Sequence, residues 1–283
     1  MKSKRKLIIV PTDFTEVIEF AIDHAAHICK MQDAKLMLLH IINKETKSNL
    51  KKEKLDLSEI HKKIEKKSTA IAEKYNINVG FMAEEGSIFS TIGKITKEIE
   101  ANMVVMGTHG KFGMQHITGS YALKVIETSP VPIIVVQKRG YRDGYNKIVL
   151  PIDDTIESKQ KVKWAIHIAR KFNSTIHLLG MSVSDSLRMA KIKANMLQII
   201  KIFSQNEIIH KYEYADKNGP FHKQILSYSK SVDADLILIM TDPYKLMPNF
   251  MINKWEEQLL FNDSLIPIMA INPIELGIVV GGM

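Results

Sequence analysis

The sequence predicts an α/β protein made of two tandem copies of one domain, each a five-stranded parallel sheet with helices on both faces. Three observations predict it. Continuous apolar runs of strand length alternate with segments whose apolar residues recur at helical spacing, as buried parallel strands and their covering helices do. Several runs empty into proline or glycine at the carboxyl end, the side on which open α/β sheets place their ligand crevice. The arrangement then repeats further along the chain.

Leu7–Val10 is the first strand, stopped by Pro11, Thr12 and Asp13. In the helix that follows, Thr15 is placed to cap, Glu16 and Glu19 sit in the positive first turn, and Val17, Ala21, Ala25 and Ile28 form the inner face. Leu36–Ile42 is the second strand. From about Ser48 to Tyr75 a charged segment carries Leu50, Leu57, Ile60, Ile64 and Ile71 as an apolar stripe, which fits one long helix or two short ones. Asn76–Ala83 reads as the third strand, ending before Glu84, Glu85 and Gly86, and Ile88, Ile92, Ile95 and Ile99 mark the next helix face. Met103–Met106 is the fourth strand, running into glycine. A helix opened by Gly119 and Ser120 presents Ala122, Val125 and Ile126 and is stopped at Thr128–Pro132, and Val131–Val136 is the fifth strand. Strands alternating with helices imply right-handed crossovers. The expected domain is Rossmann-like or flavodoxin-like, with strand order 3-2-1-4-5.

Ile148–Asp153 then matches Ile8–Asp13 at a shift of 140 (148−8), and Ile176–Leu179 matches Leu36–Leu39 at the same shift. Gly219 matches Gly86 at a shift of 133 (219−86), and Ile266–Ile271 matches Val131–Val136 at a shift of 135 (266−131). The division is a first domain over 1–138, a polar, glycine-bearing linker over 139–146, a second domain over 147–273 and an apolar tail over 274–283. Val131–Val136 and Ile266–Ile271 would be edge strands. Long uncharged edges invite pairing, and two copies in one chain can bury both against each other as a pseudo-twofold dimer. Association of two chains into a homodimer stays open.

Composition narrows the function classes. At 283 residues, with 45% hydrophobic and 25% charged residues, the chain is long enough for two packed cores. No apolar run approaches the ~20 residues of a membrane span, and no cleavable signal follows Met1–Lys6. The expected location is the cytoplasm, without a membrane partner. The single cysteine, Cys29, lies in a helical pattern and reads as a buried small hydrophobe. The net charge of +8 owes much to Lys44–Lys67, but Glu45, Glu53, Asp56, Glu59 and Glu65 interleave there as on a solvated helix face. No nucleic-acid motif accompanies it, which argues against a nucleic-acid partner.

The chemistry-bearing constellation is the strand ending in Pro11, Thr12 and Asp13, Gly86, and the run Gly107-x2-Gly110-x8-Gly119-Ser120. In a parallel sheet these ends converge on one side. Gly107 and Gly110 allow close backbone approach to phosphate oxygens, and the amides of Gly119, Ser120 and Tyr121 open a helix. Asp13, an acceptor when ionised, suits the hydroxyl or amine end of a nucleotide. Two plainer readings stand beside these: glycines that only shape tight turns, and Asp13 as a turn or capping residue.

The pattern is similar to that of the universal stress protein family (UspA-like), whose nucleotide-binding members carry G-x2-G-x9-G-[ST], and the resemblance extends over nearly the whole chain as a tandem-domain member. It implies that Asp13 and the backbone near Ile41 hold an adenosine end, and that Gly107, Gly110, Gly119 and Ser120 hold phosphates. The candidate cofactor-binding set is therefore Pro11, Thr12, Asp13, Ile41, Met106, Gly107, Gly110, Gly119, Ser120 and Tyr121. The cofactor would be ATP, ADP or AMP, with Mg²⁺ only alongside ATP. This sequence has eight residues, Lys111–Thr118, where the family pattern has nine, which shortens or rotates the loop before the second phosphate contact.

In the second copy Met240 and Pro243 stand where the first has Gly107 and Gly110, and Lys254–Trp255 where it has Gly119–Ser120. Pro243 has no N–H and Asp242 would repel phosphate. Asp153 remains there as a turn or capping residue. His40, His109 and His116 match no zinc spacing and take polar or packing roles, and His24 and His27 read as surface or boundary residues. The 15 methionines read as core filler. No nucleophile elbow or water-activating base is evident, so the set has no catalytic and no metal-ligating members. The leading expectation is a stress-response protein that binds an adenine nucleotide in its first domain. The alternatives are a non-nucleotide interaction protein with vestigial pockets and a weak ATPase.

Overall fold

The structure, a computed structural model, describes residues 6–108, 119–241 and 254–273. The first half runs β1 (Leu7–Pro11), α1 (Val17–Gln32), β2 (Lys35–Ile42), α2 (Lys44–Glu53), α3 (Leu57–Tyr75), β3 (Val79–Glu85), α4 (Ile88–Glu98), β4 (Met103–Gly107), α5 (Gly119–Thr128) and β5 (Ile133–Val136). The second runs β6 (Lys147–Ile152), a 3₁₀ turn at Glu157–Lys159, α6 (Val162–Phe172), β7 (Thr175–Gly180), α7 (Ser186–Gln205), β8 (His210–Tyr214), α8 (Phe221–Ser231), β9 (Leu236–Met240), α9 (Lys254–Leu260) and β10 (Ile268–Ile271).

All ten strands form one sheet in the order β3-β2-β1-β4-β5-β10-β9-β6-β7-β8. Each half therefore has the order 3-2-1-4-5, and pairing within each half is parallel. The halves meet at β5 and β10, which pair antiparallel with Met269 opposite Ile134. Both strands begin two residues later than the apolar runs suggest, because Pro132 and Pro267 have no N–H for a ladder. Every residue of both strands is buried, and each large aliphatic side chain so covered contributes about 1.5–3 kcal/mol. One apolar core lies on each face of the sheet, and both cores run through the two halves.

Of the two forms expected for the charged segment before Tyr75, the structure has two helices, separated where Lys54 takes a left-handed conformation and Asp56 caps α3 through the Ser58 N–H. Other expectations are corrected. β3 does not begin at Asn76, which closes α3 in the left-handed region. It begins at Val79 and continues through Glu84 and Glu85, opposite Ile41 and Ile42. An edge strand tolerates those carboxylates because they reach solvent. Thr15 does not cap α1. Its N–H and hydroxyl both donate to Asp13 Oδ1, at 2.9 and 2.6 Å, and α1 starts beyond it.

The polar linker packs against α1, and His24 is buried and not a surface or boundary residue. Tyr145 is fully buried, and Tyr141 stacks on His27 with ring centroids 4.2 Å apart. His24 Nε2 lies 3.0 Å from the Arg139 carbonyl and Nδ1 lies 2.9 Å from the Tyr145 hydroxyl. A carbonyl only accepts, so Nε2 carries the proton and Nδ1 accepts from Tyr145. Burial pushes the His24 pKa down to about 4. Cys29 is buried as expected, and its thiol is pushed up to about 12 by that burial.

Candidate functional site

At the carboxyl ends of β1 and β2 the chain leaves a cleft of about 220 Å³. Its floor is Pro11, Thr12, Asp13 and Phe14 with Leu39, His40 and Ile41. α2 and α3 close one side with Leu50, Ile60 and Lys63, and α4 contributes Ile88 and Ile92. The strand ends are held together by backbone and ring contacts. The Thr12 N–H donates to the Leu39 carbonyl at 2.8 Å, and His40 Nδ1 donates to the Thr12 carbonyl at 2.8 Å. Phe14 follows with φ 65°, a left-handed conformation that costs a non-glycine residue strain. Its ring lies 4.8 Å from that of His40, and the Lys63 ammonium stands 4.3 Å above it.

Asp13 is the chemically distinctive group. One oxygen, Oδ1, is spent on the turn, accepting from the Thr15 N–H and hydroxyl. The other, Oδ2, is buried and has no hydrogen-bond partner among the described residues. An unsatisfied buried carboxylate oxygen costs folding free energy, on the order of 1–3 kcal/mol or more. A donor entering the cleft would recover that cost.

The structure brings Pro11, Thr12, Asp13 and Ile41 together at this cleft. Met106 is elsewhere: its side chain is fully buried in the core beneath the sheet, and β4 pairs it with Val135. Gly107 ends β4 beside the first turn of α1, where an added Cβ would lie 2.9 Å from the Val17 carbonyl oxygen. Close packing therefore requires glycine there, whatever a ligand adds. Gly119, Ser120 and Tyr121 form the start of α5. Gly110, the eight-residue spacing, His109 and His116 lie outside the described residues, as do Asp242, Pro243 and the tail. Among the described residues no group of three His, Cys, Asp or Glu could hold a metal ion, and no helix is long and apolar enough to cross a membrane.

Sequence reasoning missed the α2–α3 wall. Asn43 caps α2 by accepting from the Thr46 N–H at 2.8 Å, a signal visible as asparagine directly after an apolar strand. Lys63 could have been found as the residue between Ile60 and Ile64 on the apolar stripe.

The second copy repeats the turn and not the cleft chemistry. Asp153 Oδ1 accepts from the Thr155 N–H and hydroxyl at 2.9 and 2.6 Å, as Asp13 does from Thr15. Beside it, Ser158 Oγ accepts from the Asp153 N–H and from the ammonium of Lys161, which is itself buried. Asn195 donates to the Asp153 and Thr155 carbonyls. Burial pushes the Lys161 pKa down to about 8, with the charge of Asp153 opposing the shift.

A family model described as the universal stress protein family matches residues 4–137 and again 144–252. A universal stress protein of Methanocaldococcus jannaschii, MJ0531, is 31% identical over 146 residues, which are 47% of this chain and 82% of that protein. A second from the same organism, MJ0577, is 27% identical over 156 residues, covering 48% of this chain and 96% of that protein. Each therefore corresponds to about half of the chain. Among solved structures, a universal stress protein from Archaeoglobus fulgidus superposes with a TM-score of 0.71 at 16% identity, over 95% of this chain and 97% of that one. That likeness extends the shared fold to both halves.

Proposed function

Because this chain belongs to the universal stress protein family, we propose that it works in the cytoplasm as a binding or switching module of the stress response, taking an adenine nucleotide in its N-terminal half. The observation that carries this reading is Asp13 Oδ2, a buried acceptor on a cleft-lining residue that has no hydrogen-bond partner among the described residues. The exocyclic amine or a ribose hydroxyl of an adenosine supplies such a donor. At about 220 Å³ the cleft is below the ~300–1,000 Å³ usual for whole drug-sized ligands. It suits the base and sugar, with the phosphates directed outward toward Gly107 and the start of α5. Mg²⁺ would accompany the ligand only as ATP.

The test is isothermal titration with adenosine, AMP, ADP and ATP against the wild type and Asp13→Asn. Asparagine keeps Oδ1 for Thr15 and replaces only the orphaned oxygen with an amide nitrogen. The expected loss is roughly tenfold to a hundredfold in affinity for every adenine ligand, the worth of one charge-assisted hydrogen bond. No binding by the wild type, or equal binding by Asp13→Asn, overturns the assignment.

A further inference from the structure

The sheet ends at two outer strands, β3 and β8, and only β8 has a sequence complementary to itself. We propose that β8, His210-Lys-Tyr-Glu-Tyr214, pairs antiparallel with β8 of a second copy about a two-fold axis at Tyr212, joining two sheets into one.

The ladder fixes which groups are available. The Ile209 carbonyl accepts from Ile176 and the Ala215 N–H donates to Gly180. Odd-numbered residues of β8 therefore direct their backbone groups to β7. The N–H and C=O groups of His210, Tyr212 and Tyr214 face outward, an exposed template for another strand. In antiparallel pairing about Tyr212, that residue exchanges both hydrogen bonds with its own copy, and His210 does the same with Tyr214. The intervening pair, Lys211 opposite Glu213, then falls at the non-hydrogen-bonded positions, where side chains come closest. It occurs twice by symmetry, each time with opposite charges. On the other face, Tyr212 meets Tyr212, and His210 meets Tyr214. Those tyrosines are 55% and 39% exposed, and the edge is covered by nothing else among the described residues.

β3 fails the same test. By its register with β2, Phe81 is the counterpart of Tyr212. Pairing about Phe81 would set Gly80 opposite Met82, with no charge pair and a weak glycine position. The two-fold is isologous and closes at two chains, whereas β8 on β3 of another copy would continue into a filament.

Sedimentation equilibrium of the full chain tests the proposal. The wild type is expected to dimerise in the micromolar range. Lys211→Glu places glutamates opposite one another at both sites and should weaken the dimer about tenfold. The double exchange Lys211→Glu with Glu213→Lys restores opposite charges and should restore the dimer. Tyr212→Pro removes an outward N–H while leaving the bonds to β7, so the variant should be monomeric with an unchanged circular dichroism spectrum. A monomeric wild type, a dimer indifferent to Tyr212→Pro and to both charge variants, or open-ended growth of oligomers overturns the proposal.

Discussion

The two halves share the fold and the turn at the end of the first strand, and differ in what sits behind that turn. Asp13 and Asp153 make the same pair of bonds to a threonine two residues on, at the same distances. At the 140-residue shift, however, Ala21 of α1 is replaced by Lys161. The second aspartate therefore has a buried cation of its own chain nearby, where the first has a cleft and an oxygen without a partner among the described residues. Sequence identity at an aspartate does not make a site. The difference lies in the residue behind the turn, Lys161 in one half and Ala21 in the other.

Gly107 gives the sharpest way to break the comparison. Its missing Cβ would lie 2.9 Å from the Val17 carbonyl, and in the second half Met240 occupies the matching place. Methionine fits there because the helix opposite starts later: α6 begins at Val162, five residues beyond the equivalent of Val17 (17+140 is 157), and a 3₁₀ turn fills the interval. Gly107→Met puts the second half's residue against the first half's helix start. It should destabilise the protein by about 3 kcal/mol, at the upper end of overpacking costs. Urea unfolding followed by far-ultraviolet circular dichroism reads this as a lower midpoint. An unchanged midpoint would mean that α1 can begin later without cost.

The strands and their order were legible because a parallel strand buried on both faces is a continuous apolar run, as in Ile8–Val10 and Met103–Met106. The pairing of β5 with β10 was legible for the same reason, since an uncharged apolar edge cannot face water. Less of the cleft could be read. Asp13 and Ile41 stand at strand ends, where topology alone brings them together. Lys63 and Phe14 meet only because α3 crosses over the β1 turn, and helical periodicity says which face is buried without saying against what. Met106 stands beside Gly107 at the end of β4, and alternation turns its side chain into the core. His24 looked like a boundary residue because the tyrosines that bury it come from residues 141 and 145.

The linker contact is also one-sided, since the position matching His24 in α6 is Trp164 (24+140). Folding moves the His24 pKa from 6.5 down to about 4. The unfolded chain therefore binds more protons between those values, and stability falls as pH drops through that window, being fully present above about pH 6.5. The loss by pH 4 is about 3 kcal/mol, from 1.36 kcal/mol per unit. His24→Phe should start lower at pH 7, because Tyr145 loses its acceptor, and should then lose less between pH 6.5 and 4. Parallel curves for the two proteins would place the acid sensitivity in other groups.

In the second half, Lys161→Met should have a smaller effect at pH 7 than His24→Phe, and of opposite sign. The Lys161 pKa falls from 10.5 to about 8 on folding, so again the unfolded chain binds more protons within the window, here from about pH 8 to 10.5. The cost of burying the ammonium is complete below pH 8 and is relieved as pH rises. Lys161→Met removes that cost together with the attraction to Asp153 and the bond to Ser158, and because desolvation outweighs the attraction the variant should be more stable at pH 7 by on the order of 1 kcal/mol. The gain over wild type at pH 7 should shrink in urea titrations repeated at pH 9 and 10. Such a result would make Lys161 a buried cation that the second half tolerates and does not need. If the variant is instead less stable at pH 7, the cation holds the Asp153 turn together. The first half, with Ala21 in that place, would then hold the Asp13 turn without such a cation.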